Sequence, residues 1–291
     1  MHEIEEKNET AIHQTMRSCE RITGAFRPPD DAPSKANAAW VHDYMIARNS
    51  GRNDIWSMYH ESLVRFIHAH YPERPPLTWV EIGTAYGMTT NFVLGRLPFV
   101  TAHAVDPCRA GFDETDLTSR VLNGHRSRSN LTHAEFSLAW ASALVAHQEQ
   151  QHRACRYYLH RALSVEGAAD FPDASVDVLF IDGLHTFDGV MADLVAYWPK
   201  LKPRSLLILN DWKASNGCWC RHSSREGACP CAFPGVKRAG CTFLATKGLE
   251  TQIIEQGPVG LTNAGVVIGM PAANMTPQIR WNTGLCTSVV G

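Results

Sequence analysis

The chain has 291 residues, 44% of them hydrophobic, and a formal net charge of −2, which suits one large domain or a domain with appendages. That balance gives no electrostatic pull toward nucleic acid or an anionic membrane, and no apolar run nears the roughly 20 residues of a membrane span. The charged start, Met1 to Lys7, lacks the apolar core of a secretory signal, so the expectation is a cytoplasmic protein with a small-molecule substrate.

Residues 1–27 read as a short docking helix, broken at Arg27-Pro28-Pro29. Helical spacing resumes with Trp40, Tyr44 and Met45, then with Trp56, Tyr59, Leu63, Phe66 and Ile67. Residues 1–76 are thus expected to form an N-terminal helical cap and connector. Thr78 to Ile82 reads as the first strand, Asn91 to Leu97 as a helix and Thr101 to Val105 as the second strand. Residues 108–130 show no period and read as a loop. Leu131 to His152 reads as a helix with Phe136, Trp140, Leu144 and Val145 on one side. Strands follow at Arg156 to Arg161, Val176 to Asp182 and Ser205 to Asp211, with a helix over Phe187 to Leu201. Their unbroken apolar runs fit a parallel sheet covered on both faces. Thr251 to Glu255 and Ala264 to Met270 read as a closing antiparallel pair, and residues 271–291 as a surface tail. The fold expected over residues 77–270 is therefore α/β, a Rossmann-like doubly wound sheet that is mostly parallel.

The first strand runs into Glu81-Ile82-Gly83-Thr84-Ala85-Tyr86-Gly87, and the second stops at Asp106. Strand, glycine turn, helix, strand and terminal carboxylate make a nucleoside-cofactor site. The turn lacks the Gly-x-Gly-x-x-Gly that a pyrophosphate needs. A cofactor with an amino-acid end and no phosphate suits it better, with Glu81 facing an ammonium group and Asp106 two ribose hydroxyls. At the other side, Asp182 and Asp211 end strands expected to be neighbours about 4.8 Å apart. With Asn210 they form an oxygen-rich set suited to Mg²⁺ or Mn²⁺, over which His185 should project.

Val80 to Gly87 with Ala104-Val105-Asp106 resembles class I S-adenosylmethionine-dependent methyltransferases. Phe180 to Phe187, Asp193 and Trp198 to Pro203 narrow the resemblance to the branch of macrocin-type sugar O-methyltransferases and cephalosporin-hydroxylase-like proteins. The resemblance implies a seven-stranded sheet with the last pair reversed and S-adenosylmethionine as cofactor. It places Thr84 and Tyr86 at the methionine end and Ser164 and Val165 beside the adenine. With Glu81, Gly83, Gly87, Asp106 and Asp182, these complete the expected cofactor set. It makes Asp182, Asn210 and Asp211 the metal ligands and His185 the general base. Asn210 stands where the branch carries an acid, Leu184 replaces an acid, and Arg204-Ser205 replaces Gly-Gly.

Cys218, Cys220, Cys229 and Cys231, with His222 between and Cys241 beyond, mark an insert over 214–241, expected to be a substrate lid. Zinc, disulfides and free thiols all fit its Cys-x-Cys spacing. The other four cysteines read as thiols. The leading reading is metal-assisted O-methylation of a small hydroxylated molecule, such as a sugar or natural product. A metal-independent N-methyltransferase and a non-catalytic cofactor-binding protein are the alternatives, and homo-oligomerisation is left open.

Overall fold

A computed structural model describes residues 22, 24–28, 43, 54–111, 117–152, 155–211, 234–247, 252–253 and 266–269. In chain order these form helix α1 (Asp54–His70), strand β1 (Leu77–Ile82), α2 (Met88–Arg96), β2 (Val100–Val105), α3 (Leu117–Arg128), α4 (His133–His152), β3 (Tyr157–His160), a one-turn helix α5 (Ser164–Gly167), β4 (Val176–Ile181), α6 (Phe187–Tyr197), β5 (Leu201–Leu209) and α7 (Pro234–Lys247). The parallel body of the sheet has five strands in the order β3-β2-β1-β4-β5. Two short segments, Val266–Gly269 and Gln252–Ile253, pair antiparallel beyond β5.

The strand order fixes where a ligand can sit. The chain begins in the middle at β1, moves outward to β2 and β3, and then returns to β4 on the other side. The crossovers from β1 and from β4 therefore diverge, and a crevice opens at the carboxyl ends of these two strands. Register puts Glu81 opposite Phe180 and Ile82 opposite Ile181, so the glycine turn and Asp182 emerge side by side.

Alternation along the strands feeds two apolar layers. Trp79, Phe180, Leu206 and Ile208 pack with Leu63 and Ile67 of α1 and with Phe136, Trp140 and Leu144 of α4. Val80, Ile82, Leu179, Ile181, Leu207 and Leu209 pack with Val190 and Leu194 of α6 and with Val236, Phe243 and Leu244 of α7. Trp79 and Phe180 stack at 5.4 Å in the centre.

Several expectations need correction. Part of the loop expected at 108–130 is the helix α3. Its sequence is strongly polar, and Leu122 is its one buried apolar side chain among those described, so no hydrophobic period marks it. Internal bonds support it instead: Ser127 Oγ donates to the Asn123 carbonyl at 2.9 Å, and Arg126 Nε to Asn123 Oδ1 at 3.1 Å. Residues 234–241 of the expected insert are the first half of α7. Gly24 to Pro28 are not helical: Phe26 bridges antiparallel to Leu159 of β3, the strand at the end of the sheet. Cys108 is a buried free thiol as expected, whereas Cys155, expected to be a thiol, is disulfide-bonded, as is Cys241. The side chains of Trp56 and Tyr59, the cysteines 218–231 and the tail lie outside the described residues. Among the described residues no helix is long and apolar enough to cross a membrane.

Candidate active site

The turn after β1 is built from two left-handed glycines and one left-handed alanine. Gly83 has φ +79°, and a Cβ there would lie 2.3 Å from the Asp182 carbonyl oxygen, so the two strand tips touch because that side chain is missing. Gly87 has φ +70° and abuts Leu144 and Gln148 of α4. Ala85, at φ 43°, is held from both ends. Its N–H donates to Asp106 Oδ2 at 2.9 Å, and its carbonyl accepts from Trp140 Nε1 at 3.1 Å. Gln148 Nε2 donates to the Gly87 carbonyl at 3.0 Å. Helix α4 thus clamps the turn through two side chains about two turns apart. An N-terminal capping box fixes its start: Glu135 Oε2 accepts from Thr132 N at 2.8 Å, and Glu135 N donates back to Thr132 Oγ1 at 3.3 Å.

Glu81 is 1% exposed, where a carboxylate is costly. Burial pushes its pKa up to about 8, and nearby Asp182 and Asp106 push the same way; hydrogen bonds from Thr90 and Thr84 oppose the rise. Both hydroxyls donate to Glu81 Oε2, that of Thr84 at 3.1 Å. Asp106, at the tip of β2, also accepts from Cys108 N at 2.7 Å. Tyr86 is half-buried, its ring 5.2 Å from Trp140. Ser164 and Val165 lie on the one-turn helix after β3. Val165 is 51% exposed, and the Ser164 carbonyl accepts from Tyr197 Oη at 2.9 Å. Asp193 of α6 is buried, its pKa raised to about 6 by burial against an opposing hydrogen bond from Ser164.

Across the crevice, one donor atom from each of Asp182, His185 and Asp211 falls within 4.8 Å of the others. His185 Nε2 lies 3.0 Å from Asp211 Oδ2 and 3.4 Å from Asp182 Oδ1. Asn210 Nδ2 donates to Asp182 Oδ1 at 2.8 Å. This turns Asn210 Oδ1 to the other side of the amide, where it is buried with no protein partner. Asp182, Asp211 and Asn210, expected as ligands, thus lie together with His185 beside them. Burial raises the Asp182 pKa and the charge of Asp211 adds to it, while His185 and Asn210 pull it down. A divalent cation suits this cluster: two carboxylates repel at short range, and a buried amide oxygen lacks a partner.

The geometry joins a cofactor-type turn to an acid–imidazole cluster across one crevice. Residues 80–212 match the model of a methyltransferase domain. Over this stretch, somewhat under half of its length, the chain is similar to methyltransferase domains. A 68-residue stretch is 40% identical to the uncharacterised protein y4gI of Sinorhizobium fredii, spanning 23% of this chain and 7% of that protein. Among solved structures, a candidate caffeoyl-CoA O-methyltransferase from Staphylococcus aureus is 13% identical, with 81% of this chain and 100% of that one covered and a TM-score of 0.45. The 1,6-didemethyltoxoflavin N1-methyltransferase of Burkholderia thailandensis, bound to S-adenosylhomocysteine, is 15% identical, with 84% and 93% covered and a TM-score of 0.42.

Sequence reasoning missed Thr90, Trp140 and Gln148. Trp140 was legible as core but not as a donor. Gln148 is a fully buried amide one turn beyond the apolar Leu144 and Val145, and that mismatch was the available signal.

Proposed function

We propose that this methyltransferase transfers the methyl group of S-adenosylmethionine to a hydroxyl of a small molecule, such as a sugar or natural product, with help from Mg²⁺ or Mn²⁺. The observation that carries the reading is the cluster of Asp182, His185 and Asp211 within 4.8 Å, across the crevice from the glycine turn. Glu81 would accept from the cofactor's ammonium group, Asp106 from the ribose hydroxyls, and the loop at Ser164 and Val165 would flank the adenine.

A divalent cation, held by Asp182 and Asp211 and, once its amide is turned over, by the Asn210 oxygen, would supply Lewis-acid lowering of the substrate hydroxyl's pKa. His185 takes the proton of that hydroxyl. The new bond joins the substrate oxygen to the methyl carbon, the sulfur–methyl bond breaks, and S-adenosylhomocysteine leaves. Asp211, 3.0 Å from His185 Nε2, orients the ring and stabilises it when protonated. The same contact gives the imidazolium a way to balance the carboxylates without a cation, so chelation is the informative perturbation.

The proposed enzyme belongs to the macrocin-type branch, with a seven-stranded sheet, a helical cap over residues 1–76, a Cys-rich lid with or without Zn²⁺, and a cytoplasmic location with no nucleic-acid partner. The test is incubation with methyl-labelled S-adenosylmethionine and a panel of polyols and phenols, with Mg²⁺ or with chelator. Label in a hydroxyl acceptor, lost on chelation, is the expected result. Label on nitrogen alone, untouched by chelator, would overturn it.

A further inference from the structure

We propose that Gly235 is a positioning residue for His185: its missing side chain lets the first turn of α7 press against the 185–187 backbone and so sets where the imidazole sits. This rests on the reading of His185 as the general base.

The contact is backbone against backbone. A Cβ at Gly235 would lie 2.5 Å from the His185 carbonyl oxygen, 2.5 Å from Phe187 N and 2.7 Å from the Thr186 carbonyl carbon. Gly235 is not among the left-handed glycines, so conformational freedom is not what requires glycine here. The requirement is space. Nothing on the other side yields easily, because atoms of a main chain cannot rotate away as a side-chain tip can.

The pinned turn has little slack at either end. His185 immediately precedes the N-cap of α6, where Thr186 Oγ1 accepts from Gly189 N at 3.1 Å. Its ring meets Asp211 and Asp182. One turn further along α7, the Arg238 guanidinium lies 4.3 Å from the centre of the Phe187 ring, a cation–π contact that holds the same two elements together. Behind it Val236, Ala239, Phe243 and Leu244 are buried with Val190 and Leu194 of α6. The position of α7 is therefore transmitted to His185 through a rigid stack. A methyl group at 235 must open the contact by about 0.9 Å to reach ordinary van der Waals separation. Displacements of this size at a reacting group cost on the order of 10²-fold in rate.

The experiment compares Gly235→Ala with the parent protein in three readouts. The first is kcat with the acceptor that turns over fastest in the polyol and phenol panel. The second is S-adenosylmethionine affinity by calorimetry. The third is the His185 ring resonance by NMR, assigned by its loss in His185→Ala. The expected result is a ten- to hundred-fold fall in kcat, cofactor affinity within twofold, and a displaced His185 resonance. In the His185→Ala background, Gly235→Ala should change the remaining rate less than twofold. An equal fall in both backgrounds, or an unmoved resonance in folded Gly235→Ala, would overturn the proposal. Where Gly235→Ala does not fold, Arg238→Gln, an exposed change at the same contact, should move the resonance and lower kcat several-fold; no movement counts against the proposal. If the parent protein methylates nothing, the general-base reading fails, and the resonance alone decides whether Gly235 positions the ring.

Discussion

Glu81→Gln is the perturbation with the most to say about the cofactor site. In the folded protein the carboxyl titrates at about 8, against an ordinary value of 4.5. At low pH both folded and unfolded chains carry the proton, and the site costs nothing. As pH rises past the ordinary value, only the unfolded chain ionises, and stability falls by about 1.4 kcal/mol per unit until the folded pKa is reached. By pH 7 the accumulated loss is roughly 3 kcal/mol. The glutamine variant has no such slope. Urea denaturation of both proteins without cofactor, from pH 5 to 8.5, should show their stabilities diverging by roughly 4 kcal/mol, the wild type losing ground as pH rises. Binding adds a second signature. An ammonium group beside Glu81 favours the ionised form, so cofactor binding near pH 7 should release close to one proton in wild type and none in Glu81→Gln. Affinity should fall roughly ten- to hundredfold, since a hydrogen bond to a charged group contributes about 1.5–3 kcal/mol. Calorimetry in two buffers of different ionisation heat measures both. Parallel pH–stability curves and equal proton release would refute the reasoning.

Two further changes probe the turn. Gly83→Ala combines a left-handed φ of +79° with a Cβ 2.3 Å from the Asp182 carbonyl oxygen; it should cost at least about 1–2 kcal/mol from the backbone alone and abolish cofactor binding, read by thermal denaturation and calorimetry. Gln148→Leu keeps the side chain's bulk but removes the donor to the Gly87 carbonyl; cofactor affinity should weaken several-fold, consistent with about 1 kcal/mol per hydrogen bond, and unchanged affinity would argue that the clamp is idle.

The parts of the fold legible in the sequence were those with local causes. The runs ending at Ile82, Val105 and Ile181 are mostly apolar because helices cover both faces of the sheet, and each meets an acid or glycine where the chain leaves it. Glu81, Asp106, Asp182 and Asp211 stood out for that reason. Helix α3 was hidden because Leu122 is the one apolar side chain it is seen to bury. Helix α7 was masked by the cysteines before it, although Val236, Ala239, Phe243 and Leu244 carry helical spacing. The contacts of Gly87 with Gln148 and of Gly235 with His185 join residues about 50 or more positions apart. No local pattern announces them; they follow from the strand order that brings the helices together.

The most direct measurement is the single-turnover rate of methyl transfer in wild type and His185→Ala, with S-adenosylmethionine binding measured on the same samples. Wild type should methylate a hydroxyl acceptor, and His185→Ala should bind cofactor equally well yet transfer at least about a hundredfold more slowly, as loss of a general base implies. Equal rates in the two proteins, or a cofactor-loaded wild type that methylates no hydroxyl, would contradict the account.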